Sequence, residues 1–468
     1  MLSFLERNLD PRNWWDEAAG QKKDEVLEGA REDFVREGDV GGLNGGSSCE
    51  TVEMEKVRGE NGASGGEMRW SEQDDDDWVK VPSMLPDGLG MFAQGHPMDP
   101  HEPNFSELLP EVLRPYPAFE GWFIRIWDST KEFSAAVIMA TNYATDESQV
   151  TILFAPGRDV NPEGDREAVK CGFTYAVAVK TKDAKFTRNR NAQECGERNV
   201  EPEGFRWEAN GIGSIVVTPH VTEFDFTVEG YHFKARLTKE VLWDSHNSEN
   251  GPEGWARYVS IIPCHWYVYS LGSTVDYSFS NPEKTIFSEG SAIGHVEKNW
   301  GLSFPAGHVW LQAFSSDNTS QVCCAGAYFN TSIEKLSSPY IFVLGYRSPK
   351  LQLDFRTNDL GIVFKDINFS PLASCFSITA VGPSHTVELK AYAPYDTFSD
   401  PVLAPVTKRE WKPACRESYL ATVEMKVYEH LAWGIPGTEN LVDTQVLKSA
   451  ALEFGEDLLT EASECTGH

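Results

Sequence analysis

Short strand-like runs dominate this chain from about residue 120 onward, and that texture decides what it can fold into. GWFIRIW, FSAAVIMA, QVTILFA, FTYAVAV, GSIVVTP, FDFTVEG and YHFKARL are β-branched and aromatic stretches separated by clusters of Gly, Pro, Asn and Asp. HVWLQAF, CCAGAYF, YIFVLGY, LQLDF, GIVFK, FSITAV, HTVELKAY, LATVEMKVY and AALEFG continue the pattern. Long amphipathic helical patterns are nearly absent, which disfavours βαβ units and leaves an all-β fold of antiparallel barrels or sandwiches. The strands are too many for one small barrel. The expected division of the 468 residues is a disordered acidic N-terminal tail over 1–82, a first β domain over 83–285 and a second over 286–468. The turn-like SNPEKTIFSEGS lies at the second division. No strict repeat links the halves, so a solenoid or propeller is not expected.

Charge narrows the partners. With 41 Lys and Arg against 71 Asp and Glu, the formal net charge is −30. Nucleic acid and anionic membranes are held by basic patches, so neither is expected as the main partner. Residues 1–82 carry 21 acids and 10 bases, and GGLNGGSS sits in a Gly/Ser/Glu-rich stretch without apolar periodicity. The first residues lack a signal-peptide pattern and are too acidic for a transit peptide, which points to the cytoplasm. Nine cysteines without a CxxC pair read as reduced packing thiols, and no Cys/His spacing matches a zinc site, so no metal is expected.

Three blocks carry polar groups among aromatics. In Gly294 to Gln312, Glu297, Lys298 and Asn299 adjoin Trp300. Such a block suits a pocket mouth with a few convergent polar groups, or else a structural corner in which Glu297 and Lys298 pair. In Phe119 to Arg125, Glu120 is a candidate buried acid near Trp122, or a partner for Arg125. In Pro263 to Tyr269, strand alternation puts His265, Tyr267 and Tyr269 on one face and Trp266 and Val268 on the other. That row could line a polar pocket or simply be a satisfied hydrogen-bonded row.

Taken together, these blocks resemble the tocopherol cyclase family. Pro100-His101 precedes Phe119-Glu120-Gly121-Trp122-Phe123; Glu297-Lys298-Asn299-Trp300-Gly301 is followed by Phe304-Pro305. Cys415-Arg416-Glu417-Ser418-Tyr419 and Ala451-Leu452-Glu453-Phe454-Gly455 complete the match in chain order. His308 stands where the family usually has Trp, and Glu456-Asp457 replace glycines. Plant members work in plastids, whereas no transit peptide is seen here. The resemblance implies two lipocalin-like β domains and a cofactor-free cyclisation of a prenylated hydroquinone to a chromanol. The alternative is a lipocalin-like carrier for an apolar prenyl lipid, without chemistry. A third reading, a structural protein with filled barrels, predicts no apolar pocket between the Glu120 and Glu297 blocks.

Alkene protonation requires a carboxylic acid kept neutral by an apolar site, and its cation requires aromatic faces. Glu297 is therefore the first candidate acid, with Glu120 second and His265 as a relay. Trp122, Lys298, Asn299, Trp300, Tyr267 and Tyr269 are the candidate substrate contacts. Lys298, a neighbour on a strand, is expected to face away from Glu297. The partner is expected to be an apolar prenylated molecule, with peripheral membrane contact as its possible source. Finally, Asp74-Asp75-Asp76-Asp77-Trp78-Val79-Lys80-Val81 resembles acidic Trp-x-x-Val peptides that bind autophagy ubiquitin-like proteins. Its alternative is docking of Trp78 and Val81 onto this chain's own first domain.

Overall fold

The computed structural model describes residues 78–80, 96–101, 117–157, 173–189, 202–245, 250–259, 262–330, 338–371, 373–407, 410–430 and 439–459. Nearly all of them are in antiparallel strands or the turns between. The tail expected over 1–82 lies outside the described residues except for Trp78–Lys80.

Twelve strands form the first sheet: β1 (Trp78–Lys80), β2 (Phe119–Asp128), β3 (Phe133–Asn142), β4 (Glu147–Ala155), β5 (Tyr175–Thr181), β6 (Ala184–Asn189), β7 (Phe205–Ala209), β8 (Gly213–Val217), β9 (Val221–Val228), β10 (Tyr231–Thr238), β11 (Cys264–Ser280) and β12 (Phe287–Gly301). Ten form the second: β13 (Gly307–Phe314), β14 (Gln321–Tyr328), β15 (Ile341–Arg347), β16 (Gln352–Arg356), β17 (Val363–Ser370), β18 (Cys375–Val381), β19 (His385–Tyr392), β20 (Val402–Thr407), β21 (Glu410–His430) and β22 (Glu439–Glu456). The first sheet runs 1-6-7-8-9-10-11-12-2-3-4-5 and the second 16-15-14-13-22-21-19-18-17, with β20 on β21. Among the described residues no helix is long and apolar enough to cross a membrane.

SNPEKTIFSEGS spans the β11–β12 hairpin turn, closed by Asn281, whose Oδ1 accepts the Ile286 N–H at 2.8 Å. The strand after it stays in the first sheet, so the chain changes sheets at 302–306 rather than at 285/286. β1 pairs antiparallel with β6, Trp78 opposite Asn189. The backbone of the Trp-x-x-Val stretch is thus engaged within the chain, while Val81 and the preceding acids lie outside the described residues.

Burial follows strand alternation. β7, β9 and β10 bury every second residue, as expected for strands with one wet face. β3, β4 and β13 are buried on nearly every residue, because their outer faces meet the other sheet. Each sheet curls around its own apolar core, one containing Trp122, Trp207 and Phe226, the other Leu344, Phe376 and Met425. A third cluster, including Phe123, Leu153, Val268, Trp310 and Tyr419, fills the seam between the outer faces.

The segment His96–His101 enters the first core and is held there by charge. Glu120 points inward, its Oε2 3.1 Å from Lys298 Nζ and its Oε1 accepting the His101 N–H at 2.7 Å. Lys298 Nζ also donates to the Asp99 carbonyl at 2.6 Å, and Trp122 Nε1 to the Met98 carbonyl at 2.9 Å. Burial alone would raise the Glu120 carboxyl, but the Lys298 ammonium and His101 more than offset it and hold it below its ordinary range. Removing one partner of such a buried pair leaves a charge uncompensated. Lys298→Met is expected to cost about 3–5 kcal/mol in urea unfolding. Adding Glu120→Gln should recover more than half of it. A single substitution as mild as a surface change would show that the pair is not ionised.

Candidate functional site

Alternation along β2, β11 and β12 sends neighbouring residues to different environments. Glu120, Trp122, His265, Tyr267, Tyr269, Lys298 and Trp300 belong to the inner side of the first barrel. There Trp300 stacks between His101 and His265, with ring centroids 5.2 and 5.3 Å away. Lys298 lies 4.8 Å from the Trp122 ring centroid. His265 Nδ1 is 2.7 Å from Glu253 Oε2, and Tyr267 Oη is 3.2 Å from His96 Nε2. The outward set is Arg125, His295, Glu297 and Asn299. Glu297 and Lys298 therefore face apart, and Arg125 does not meet Glu120.

An apolar cavity of about 460 Å³ lies in the seam between the sheets. Phe123, Ile138 and Trp266 wall it from the first sheet, and Val309, Trp310 and Val343 from the second. Its volume is in the range of small-molecule sites. Of the residues expected from the sequence, Trp122, Glu297 and Asn299 border it. Phe119, Gly121 and Phe123 join Glu297 and Asn299 along one wall, so the paired strands of the Glu120 and Glu297 blocks both border an apolar cavity.

Glu297 is fixed on this wall. Its Oε2 accepts the Trp310 Nε1–H at 3.1 Å and is 2.9 Å from His295 Nε2. Two further carboxyls approach from the second sheet. Glu417 on β21 is directly opposite Glu453 on β22, and Trp310 on β13 is opposite Glu453 on its other side. Glu453 Oε1 is 2.5 Å from His308 Nε2. The His308 ring packs over Gly455, where a Cβ would sit 1.8 Å from it. Glu417 Oε2 accepts the Tyr419 hydroxyl at 2.8 Å, and the Glu417 carboxyl also meets that of Glu453. Burial, then Glu453, and more weakly Glu297, push the Glu417 carboxyl well above its ordinary range. Like charges directly opposite on paired strands repel, and a proton on Glu417 relieves that.

A buried cation stands behind this group. The Arg125 guanidinium lies 5.1 Å from the Tyr419 ring centroid and donates to Gln312 Oε1 at 2.6 Å, Ser134 Oγ at 3.1 Å and the Ser449 carbonyl. Burial brings it down to about 10, so it stays charged at neutral pH. Among the described residues no carboxylate lies within ion-pair distance of it.

Two clusters place donor atoms within 4.8 Å of one another: His295, Glu297 and Cys323, and Cys415, Glu417 and Glu453. Burial raises both thiols well above their ordinary value, and the Arg125 cation is opposite His295 on the paired strand.

Glu417, Tyr419, Glu453, Trp310, His308 and Arg125 were not among the residues expected to form a site. A signal was present: Cys415, Glu417 and Tyr419 alternate on one strand face within a block already quoted for the family. The raised Glu417 group gives a test by linkage. The native carboxyl keeps its proton while the unfolded chain releases it, so its stabilising contribution is full below about 4.5 and lost as pH rises. Relative to Glu417→Gln, the wild type is expected to lose stability between pH 5 and 8, at up to about 1.4 kcal/mol per pH unit. Urea unfolding of both proteins at several pH values measures the gap; a pH-independent gap would contradict a protonated Glu417.

The fold resembles several solved structures at low identity. CghA is 10% identical, with 81% of this chain and 97% of that chain covered and a TM-score of 0.43. Kievitone hydratase from Nectria haematococca is 9% identical, with 75% and 92% covered and a TM-score of 0.37. An AttH protein from Nitrosomonas europaea is 10% identical, with 72% and 92% covered and a TM-score of 0.37. The tocopherol cyclase-like family model matches residues 116–456, which takes in both sheets, all three carboxyls of the seam and the cavity they border. The chain belongs to the tocopherol cyclase-like family.

Proposed function

We propose that the protein is a cyclase that closes the chromanol ring of a prenylated hydroquinone by acid catalysis in the seam cavity. The observation that carries this reading is Glu417, a buried carboxyl held in its acid form beside an apolar cavity. Family membership supports the reaction class.

Glu417 donates its proton to the less substituted carbon of the nearest prenyl double bond. The tertiary cation that forms is faced by Trp266 and Trp310, whose π-systems attract positive charge. The phenol oxygen attacks the cation and closes the ring. Its proton passes to the Glu417 carboxylate, which restores the acid and leaves the product an isomer of the substrate. Glu297, held by Trp310 and His295, is the acceptor that orients the phenol hydroxyl. The Tyr419 hydroxyl stabilises the transient Glu417 carboxylate, with the Arg125 charge behind it. The apolar walls keep water from capturing the cation. In this reading Glu417 takes the acid role first expected of Glu297 or Glu120. Glu120, Lys298 and His265 act inside the first barrel, shaping the wall from behind. No cofactor takes part in this chemistry.

Incubation of purified protein with a prenylated benzoquinol, followed by chromatography for the chromanol, tests the reading. Turnover should fall as pH rises through the elevated Glu417 ionisation. Glu417→Gln should lower kcat/KM by about 10²–10⁴-fold, the usual contribution of a general acid. Tight substrate binding without ring closure would make the cavity a carrier site and overturn the enzyme reading.

A further inference from the structure

Apolar side chains are left in solvent at the cavity border and along the turn that follows its lining residue Asn358. Trp255 is 60% exposed, Ile341 38%, Leu360 101% and Val363 57%; these are half of the eight large hydrophobics exposed among the described residues. Trp255 and Ile341 border the cavity itself together with Thr357 and Asn358. Leu360 stands at the tip of the turn that leads from β16 to β17, and Val363 opens β17.

This rim is anchored rather than loose. The strap Gly251–Val259 crosses from one sheet to the other. On the first sheet Glu253 accepts the Trp266 N–H at 2.6 Å and meets His265. On the second, Arg356 donates to the Pro252 carbonyl at 2.7 Å, and Asn358 Nδ2 to the Glu253 carbonyl at 3.0 Å. The Trp255 indole N–H is turned to the Asn358 carbonyl at 3.3 Å, leaving much of its ring in solvent. Charges beside the rim are already engaged: Asp359 with Arg356 at 3.1 Å, Glu253 with His265 at 2.7 Å, and Arg257 as well.

We propose that this rim docks on a zwitterionic lipid bilayer, so that an apolar substrate passes from the membrane into the seam cavity without crossing water. The inference rests on the cyclase reading for its substrate, but the surface is argued from the rim itself. An exposed indole with an apolar body and a polar edge suits a lipid–water interface, and an aliphatic turn tip suits the layer below. Among the described residues the rim carries no basic patch, and a protein of net charge −30 gains nothing there from anionic headgroups, which selects neutral lipid.

Flotation of the full chain with phosphatidylcholine vesicles is the test, using Leu360→Asn with Val363→Asn as the variant, since neither residue borders the cavity. Wild type should float, equally well at low and high salt and without added phosphatidylserine. The variant should float about tenfold less at an unchanged melting temperature. Its turnover of detergent-dispersed substrate should equal that of wild type, while turnover of vesicle-embedded substrate falls. Wild type remaining unbound, equal flotation of the variant, or a requirement for phosphatidylserine would overturn the proposal. So would a wild-type dimer that the variant breaks without any flotation, since a second copy would then own the surface. Flotation with no turnover on any substrate would count against the cyclase reading alone, and turnover without flotation against the docking alone.

Discussion

Each sheet has two faces, and where the two sheets meet both faces are dry. Most of what is distinctive in this protein follows from that constraint. Strands such as β3, β4 and β13 must carry side chains suited to burial on both sides, and any polar group on the outer face must find its partner across the seam. Arg125, Gln312, Ser134, Tyr419 and Glu417 form one such outer-face network, with partners drawn from four strands of both sheets. It fixes the relation of the sheets more specifically than apolar contact does, because an Arg displaced from these acceptors would be a buried cation without hydrogen bonds.

The same alternation explains why two nearby sets of acids have opposite character. Glu120 and Lys298 point into the first barrel, where a cation 3.1 Å away favours the ionised carboxylate. Glu417 points into the seam, where its neighbours are two more carboxyls and the one full positive charge nearby acts through the Tyr419 ring. Burial is similar at both places. The sign of the nearest charge decides which carboxyl is a structural anion and which is an acid with a proton to give.

How much of this was readable from the residues alone depends on range. The β texture, the inward row of His265, Tyr267 and Tyr269, and the separation of Lys298 from Glu297 are period-two facts, local to one strand. The likeness to the family was carried by four short blocks in order. The Glu417–Glu453 pair was not readable. It depends on the register of β21 against β22, two long strands whose ladder shifts at three places between Ser418 and Tyr428. A one-residue difference in that register would turn one carboxyl to the other face. The division between the sheets was missed for a related reason: a turn between paired strands and a linker between sheets share the same Gly, Pro, Asn and Ser chemistry.

A neutral acid in a dry seam works against stability at neutral pH, because unfolding releases its proton to solvent. The surrounding structure compensates without ionising it. Tyr419 donates to one oxygen, and Glu453 faces the carboxyl from the paired strand. His308 occupies Glu453, whose position requires Gly455 because any side chain there would strike the imidazole. The Glu453 carboxyl, 2.5 Å from that imidazole, also meets the Glu417 carboxyl across the paired strands, so a proton on Glu417 serves both. Other polar atoms of the same seam, Arg125 Nε, Gln312 Nε2, His295 Nδ1 and His308 Nδ1, are buried without a hydrogen-bond partner. Local rules of polar satisfaction are broken at several positions of the seam together, which is the pattern expected where a site has been built at the expense of stability.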